Sequence, residues 1–403
     1  MSAKAVAKAG VKPVARRVSK STSIAKQAAR YERVALMLQG GGALGSYQVG
    51  VYKALAEADC MPNWICGVSI GAINGAIIAG NAPENRVAKL EEFWSLVAGR
   101  PIWPLDLAGQ SAHPMRELAT AASTWLTIAM GQPGFFKPRM LNPWLLPSDA
   151  MGATSFYDTS ELRNTLLQLV DFDRLNNGET RLSVGAVNVR TGNNQFFDTT
   201  EGRIEPEHIM ASGALPPALP MVKIGSEFFW DGGIVSNTPL QHLLDQEDDL
   251  RTLVFQVDLF RAQGEVPRQM AQVMARQKDI TYSSRTREAT TSFKRVLSLR
   301  AKLADALKRV PTKLLRPGER ELMENYADIG VVNLIQLIYQ SKKNEGDSKD
   351  YEFSPDSMRD HVNAGYSDTM NTLAHPEWLN PPSPADGLAE HDVHRHAPSK
   401  VLD

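Results

Sequence analysis

The chain has 403 residues, 43% of them apolar and 22% charged, with a formal net charge of −1; this is an ordinary globular composition, long enough for a large core in one or two domains. Two cysteines, Cys60 and Cys66, are too few for a disulfide framework and lack metal-ligand spacing, so reduced thiols in a reducing compartment are expected. No run of about 18 uncharged apolar residues is present to span a membrane, and the N-terminus lacks the apolar stretch of a secretory signal.

The near-zero total charge conceals an asymmetry. Residues 1–31 carry eight Lys or Arg and no acid, which reads as a basic, disordered tail, with an organellar transit peptide as the alternative. Val34–Gln39 reads as a buried strand, and Ser46–Ala58 as a helix with Val51, Leu55 and Ala58 on one face. Trp64–Val68 is a second strand, and Gly71–Gly80 a helix of small residues able to lie close to a sheet. This alternation predicts an α/β fold with a mainly parallel central sheet flanked by helices.

Residues 100–157 break the rhythm with Trp103, Trp125, Trp144 and seven prolines; they read as an irregular insertion and a candidate lid. Helical spacing returns with Leu162, Leu166, Leu169 and Val170, capped by Asp158 or Thr159. Strands are predicted at Arg181–Val189, Asn194–Asp198, Phe228–Trp230 and Leu253–Leu259, with a short helix over Glu205–Gly213. Residues 268–316 hold 13 Lys or Arg against three acids, with a helical stripe of Phe293, Val296, Leu297, Leu303 and Leu307. The resulting plan is a tail over 1–31, an α/β domain over 32–260, a mainly helical basic extension over 261–380 and a disordered tail over 381–403.

Three segments carry the chemistry. "LQGGGALGS" places Gly40, Gly42 and Gly45 in a G-x-G-x-x-G pattern between strand and helix, the pattern of a dinucleotide site. That reading wants an acid at the end of the second strand, and none stands there. The strand ends instead in "GVSIG", where Gly67 and Gly71 flank Ser69 as in a nucleophile elbow at a strand-to-helix turn; an N-cap serine is the plainer alternative. A serine hydroxyl needs a base to become a good nucleophile. "FFWDGGIVSNTPL" offers Asp231 after an apolar strand, followed by Gly232 and Gly233; a turn aspartate is the plainer alternative here.

In this order and context, Gly40–Gly45, Gly67–Gly71 and Asp231–Gly233 resemble the patatin-like phospholipase family over about residues 33–260. "HIMASGALPPALP" also resembles the segment preceding that family's aspartate, and "YEFSPDSM" with "AGYSDTMNTLAHPEW" resembles an extension found in a bacterial branch. The resemblance implies a serine lipid acyl hydrolase with a Ser-Asp dyad and an acyl-enzyme. Ser69 would be the nucleophile and Asp231 the general base. Gly40, Gly41 and Gly42 would form the oxyanion hole, with Gly45, Gly232 and Gly233 in support, and neither cofactor nor metal is implied. The family often carries Lys or Arg just before the last glycine of the loop, where this chain has Leu44. Within the class a Ser-Asp-His arrangement using His208 or His242 is the rival. A non-catalytic lipid-surface or scaffold protein is the alternative outside it, and an esterase acting on neutral lipid or storage polyester the alternative within enzymes. The basic segments predict peripheral, salt-sensitive binding to an anionic membrane, with Phe293, Val296 and Leu297 available for insertion, and no motif points to a specific nucleic acid. The expected location is cytoplasmic or peripheral membrane, with organellar import left open.

Overall fold

The computed structural model describes residues 23–98, 123–124, 126–150, 152–246, 250–326, 330–340, 349–384 and 386–394. Most of the basic N-terminal segment, residues 100–122 with Trp103, and Trp125 lie outside that set.

A nine-stranded mixed sheet forms the centre, in the order β11-β10-β9-β1-β2-β5-β8-β7 with β6 added to β5. Its strands are β1 (Arg33–Leu38), β2 (Trp64–Val68), β5 (Arg181–Asn188), β6 (Asn194–Asp198), β7 (Val222–Ile224), β8 (Glu227–Asp231), β9 (Thr252–Asp258), β10 (Val332–Ile338) and β11 (Leu388–Asp392). A separate two-residue hairpin pairs β3 (Lys137–Pro138) with β4 (Tyr157–Asp158). From β11 to β5 the sheet is parallel; β6, β7 and β8 pair antiparallel. A parallel sheet buried on both faces wants continuous apolar runs rather than alternation, which is what RVALML and TLVFQVD supply.

Two helices bear directly on the site: α1 (Ser46–Glu57) follows β1, and α2 (Ile70–Ala79) follows β2 and is buried along its whole length. The composition of α2 follows from its depth, since a Cβ on Gly71 would stand 2.3 Å from the Leu38 carbonyl oxygen. The short α3 (Pro206–Ser212) lies beyond β6. Cys60 and Cys66 are buried free thiols, and burial pushes the Cys60 thiol up to about 12.

The ends of the chain correct the sequence-based plan. Residues 23–28 are helical, and Ile24, Ala28 and Tyr31 are buried; the Tyr31 hydroxyl donates to the Leu379 carbonyl at 3.1 Å. At the other end, Leu388–Asp392 is a parallel strand on β10 rather than part of a disordered tail. The extension is mainly helical, with α4 (Met270–Lys308) and α5 (Pro355–Leu373), but its β10 pairs with β9, so the extension completes the central sheet. α5 crosses α1 closely: a Cβ on Gly365 would lie 2.0 Å from the Tyr47 carbonyl oxygen. On α4, Leu297 is buried against the sheet and Phe293 packs with it, so these two side chains belong to the core; Val296 is exposed. No helix among the described residues is long and apolar enough to cross a membrane.

Candidate active site

Ser69 occupies the turn between β2 and α2 with φ 57° and ψ −125°, a conformation costly for any residue but glycine. The turn closes because its flanks lack side chains: a Cβ on Gly67 would meet the Gly71 carbonyl oxygen at 2.3 Å. The Ser69 backbone N–H donates to Ser212 Oγ at 2.9 Å, and that hydroxyl donates on to the Gly185 carbonyl at 2.6 Å. Ser212, at the end of α3, therefore pins the elbow to the sheet. Nothing in the sequence around Ser212 signals this part.

Asp231 ends β8 opposite Ala186 of β5, and its backbone N–H donates to the Ala214 carbonyl at 3.0 Å. Its side chain accepts the Gly233 N–H at 2.7 Å, and the Ser69 side chain is near enough to pull its carboxyl down. The residue is only 3% exposed. Burial pushes its carboxyl up to about 6, against the lowering pull of Ser69 and the Gly233 N–H. Desolvation thus outweighs the donors in the competition that the sequence leaves undecided.

The glycine loop lies against both groups. A Cβ on Gly40 would sit 2.8 Å from Ser69 Cβ and 2.6 Å from Asn237 Oδ1. The Gly40 N–H points to the Asn237 carbonyl at 3.4 Å, and Asn237 Nδ2 donates to the Gly40 carbonyl at 3.0 Å. Gly41 and Gly42 open the 3-10 turn Gly42–Gly45, where the first N–H groups of a helical segment have no acceptor of their own. Gly45 packs on Ile70 and Trp94, Gly232 backs onto the Gly185 carbonyl, and Gly233 lies against Asn237. Beneath the loop, buried Gln39 accepts the N–H groups of Leu259 and Phe260 at 2.5 and 3.1 Å and donates to Thr238 at 2.9 Å.

Ser69, Asp231 and Gly40–Gly42 line one cleft of about 810 Å³, measured out to its open mouth. Its walls are apolar: Ile128, Phe135 and Phe136 from the 100–157 segment, Leu215 and Leu219 after α3, and Phe260. Tyr282, Asp350, Tyr351 and Phe353 complete it from the extension. Two ion pairs hold this second wall to α4, Lys278 with Asp350 at 2.7 Å and Lys349 with Asp279 at 3.0 Å.

Neither candidate histidine lines the cleft. His208 Nδ1 accepts the Glu205 N–H at 2.9 Å, a capping contact at the start of α3. His242 stacks on Phe196 at 4.0 Å and approaches Asp198 at 3.6 Å. Burial works to raise the Asp198 carboxyl, but the neighbouring His242 and hydrogen bonds from Arg181 and Ser183 outweigh it and hold it well below the carboxylate range. His242→Ala and His208→Ala are accordingly expected to leave ester hydrolysis within about threefold of the parent, with a fall in thermal stability of about 1–3 kcal/mol for His242→Ala. A folded His242→Ala protein without activity would restore the three-residue arrangement.

A sequence model described as patatin-like phospholipase matches residues 36–244, and a second, described as patatin phospholipase, matches residues 280–385. The first spans more than half of the chain. The chain belongs to the patatin-like phospholipase family. Among its relatives, lysophospholipase nte1 of Aspergillus terreus is 57% identical over 49 residues, 12% of this chain and 3% of that protein. Triacylglycerol lipase SDP1L of Arabidopsis thaliana is 42% identical over 64 residues, 16% of this chain and 8% of that protein. The matches thus span a small fraction of those relatives' lengths. The crystal structure of VipD from Legionella pneumophila is similar with a TM-score of 0.39 at 16% identity, covering 85% of this chain and 67% of that one. This patatin-like chain departs at Leu44, which is fully buried and outside the cleft lining: the position that often carries a cation in the family here belongs to the core.

Proposed function

We propose that this patatin-like protein is a serine lipid acyl hydrolase that cleaves carboxylic esters through Ser69 and Asp231. Asp231 takes the hydroxyl proton as Ser69 Oγ attacks the ester carbonyl. The carbonyl oxygen becomes an oxyanion facing the Gly41 and Gly42 N–H groups, each such donor being typically worth about 3–4 kcal/mol in the transition state. Collapse of that intermediate breaks the ester C–O bond. The alcohol leaves with the proton from Asp231, and the acyl group stays on Ser69. Water, deprotonated by Asp231, then releases the acid and restores the hydroxyl.

The observation that carries this reading is the convergence of a strained, presented serine and a buried aspartate, its pKa raised toward the working range of a base, in a cleft of acyl-chain character. The names of the relatives, lysophospholipase and triacylglycerol lipase, support a lipid ester as the substrate class. A fluorophosphonate probe is expected to label the parent protein covalently and Ser69→Ala not at all. Equal labelling of both proteins would remove Ser69 from the reaction.

A further inference from the structure

The cleft wall carries an apolar projection that no part of the proposed reaction uses. β3 and β4 form a small hairpin whose base belongs to the cleft: Tyr157 lines it, and its hydroxyl donates to the carbonyl of Ile128, another lining residue, at 2.6 Å. The connection between the two strands points outward and displays Met140 (101% exposed), Leu141 (66%), Trp144 (84%) and Leu145 (83%).

The display is held in place. Asn142 Oδ1 accepts the Trp144 N–H at 3.1 Å, the Leu145 N–H donates to the Asn142 carbonyl at 3.0 Å, and the Leu146 N–H donates to the Pro143 carbonyl at 3.2 Å, forming a 3-10 turn over Pro143–Leu145. At the root, the Arg139 N–H donates to the Phe156 carbonyl at 2.9 Å, and its guanidinium reaches Asp158 at 3.4 Å and Ser155 at 3.2 Å. Among the described residues these four large apolar side chains on a braced turn stand exposed, and an apolar cluster of this kind marks an interaction surface.

We infer that the Met140–Leu145 turn is a phospholipid-surface anchor that seats the mouth of the cleft on the layer supplying its substrate. The inference extends the proposed lipid hydrolysis and rests on it for the nature of the surface. Two observations select a phospholipid layer over a protein partner. The projection springs from the same hairpin that supplies Tyr157 to the cleft wall, so a layer it enters is brought up beside the cleft. Trp144 has an indole that favours the boundary between head groups and acyl chains. The contact is chiefly apolar, unlike the salt-sensitive association expected from the basic segments.

The test separates binding from catalysis. Phosphatidylcholine vesicles are mixed with the Ser69→Ala protein and with the same protein carrying Trp144→Ser and Leu145→Ser, and the bound fraction is measured by flotation at 0.1 and 1 M NaCl. The expected result is a partition coefficient at least tenfold lower for the substituted protein at both salt concentrations. In the Ser69 background the same pair of substitutions is expected to leave turnover of a water-soluble butyrate ester unchanged, which shows that the fold and cleft are intact. Equal partitioning of the two proteins overturns the anchor, as does a parent dimer in sedimentation velocity that dissociates in the substituted protein, because a second copy would then cover the patch. Vesicle binding by a parent protein that hydrolyses no ester would refute the proposed activity and leave the anchor standing.

Discussion

Asp231→Asn is expected to lower kcat/KM on a soluble ester by about 10⁴-fold, the upper range for loss of a positioned base, while raising the melting temperature at pH 8. Both effects come from one cause. Asp231 is buried and titrates at about 6 in the folded protein, whereas an aspartate in the unfolded chain titrates near 3.9. Between those values the folded state holds the proton more tightly than the unfolded state, so stability falls as pH rises from about 4 to about 6 and stays reduced above that. A shift of this size corresponds to about 3 kcal/mol at neutral pH. Asparagine does not ionise and can still accept the Gly233 N–H. The stability gain of Asp231→Asn should therefore be absent at pH 4 and fully developed at pH 8, as read by calorimetry at both pH values. The parent's kcat/KM should climb about tenfold per pH unit below 6 and level off above it, because only the ionised carboxylate accepts the Ser69 proton. An Asn variant no more stable at pH 8 than the parent would show that the carboxylate is not held against its own desolvation.

The parts of this arrangement that were readable in the sequence are those whose signals are local. Trp64–Val68 and Asn194–Asp198 were placed to the residue. The elbow at Ser69 was visible because the turn needs glycine on both sides, whatever the rest of the chain does. Gln39, Ser212 and Asn237 escaped notice because a buried polar residue has no local signature; its value comes from the N–H and C=O groups that tertiary structure brings to it. Tyr282, Asp350, Tyr351 and Phe353 escaped for a stronger version of the same reason. They reach Ser69 across more than 200 residues of chain, through an extension whose amphipathic helix read equally well as a membrane-facing surface. β11 was hidden because LAEHD has neither alternation nor β-branched residues; pairing with the already formed β10 makes it a strand. The Leu44 position shows the converse limit, since a departure visible in the sequence becomes interpretable only when that side chain is found inside the core.

Gly42→Ala should lower kcat/KM by about 10²–10³, chiefly through kcat, as expected for misaligned oxyanion donors. Gly42 has φ +55°, and a Cβ there would stand 2.3 Å from the Asp350 carbonyl oxygen. Either the loop or the segment opposite must move. The segment 349–353 is poorly placed to do so: the Asp350 carboxylate is held by Lys278, and the neighbouring Lys349, itself buried, is paired with Asp279. Removing one partner of so enclosed a pair leaves a charge without compensation, which makes the pair resist separation. The glycine loop therefore yields, and with it the aim of the Gly41 and Gly42 N–H groups toward the carbonyl on Ser69. Gly202→Ala, where a Cβ meets nothing within 4 Å, serves as the matched control and should keep full activity. The loop-against-wall account has a sharper consequence in the double variant Gly42→Ala/Lys278→Met. Releasing Asp350 lets the wall retreat instead of the loop, so kcat should recover by about tenfold over Gly42→Ala alone, leaving the cost of positive φ at alanine, about 1 kcal/mol, in the melting curve. A double variant no faster than Gly42→Ala would show that the extension does not brace the oxyanion loop.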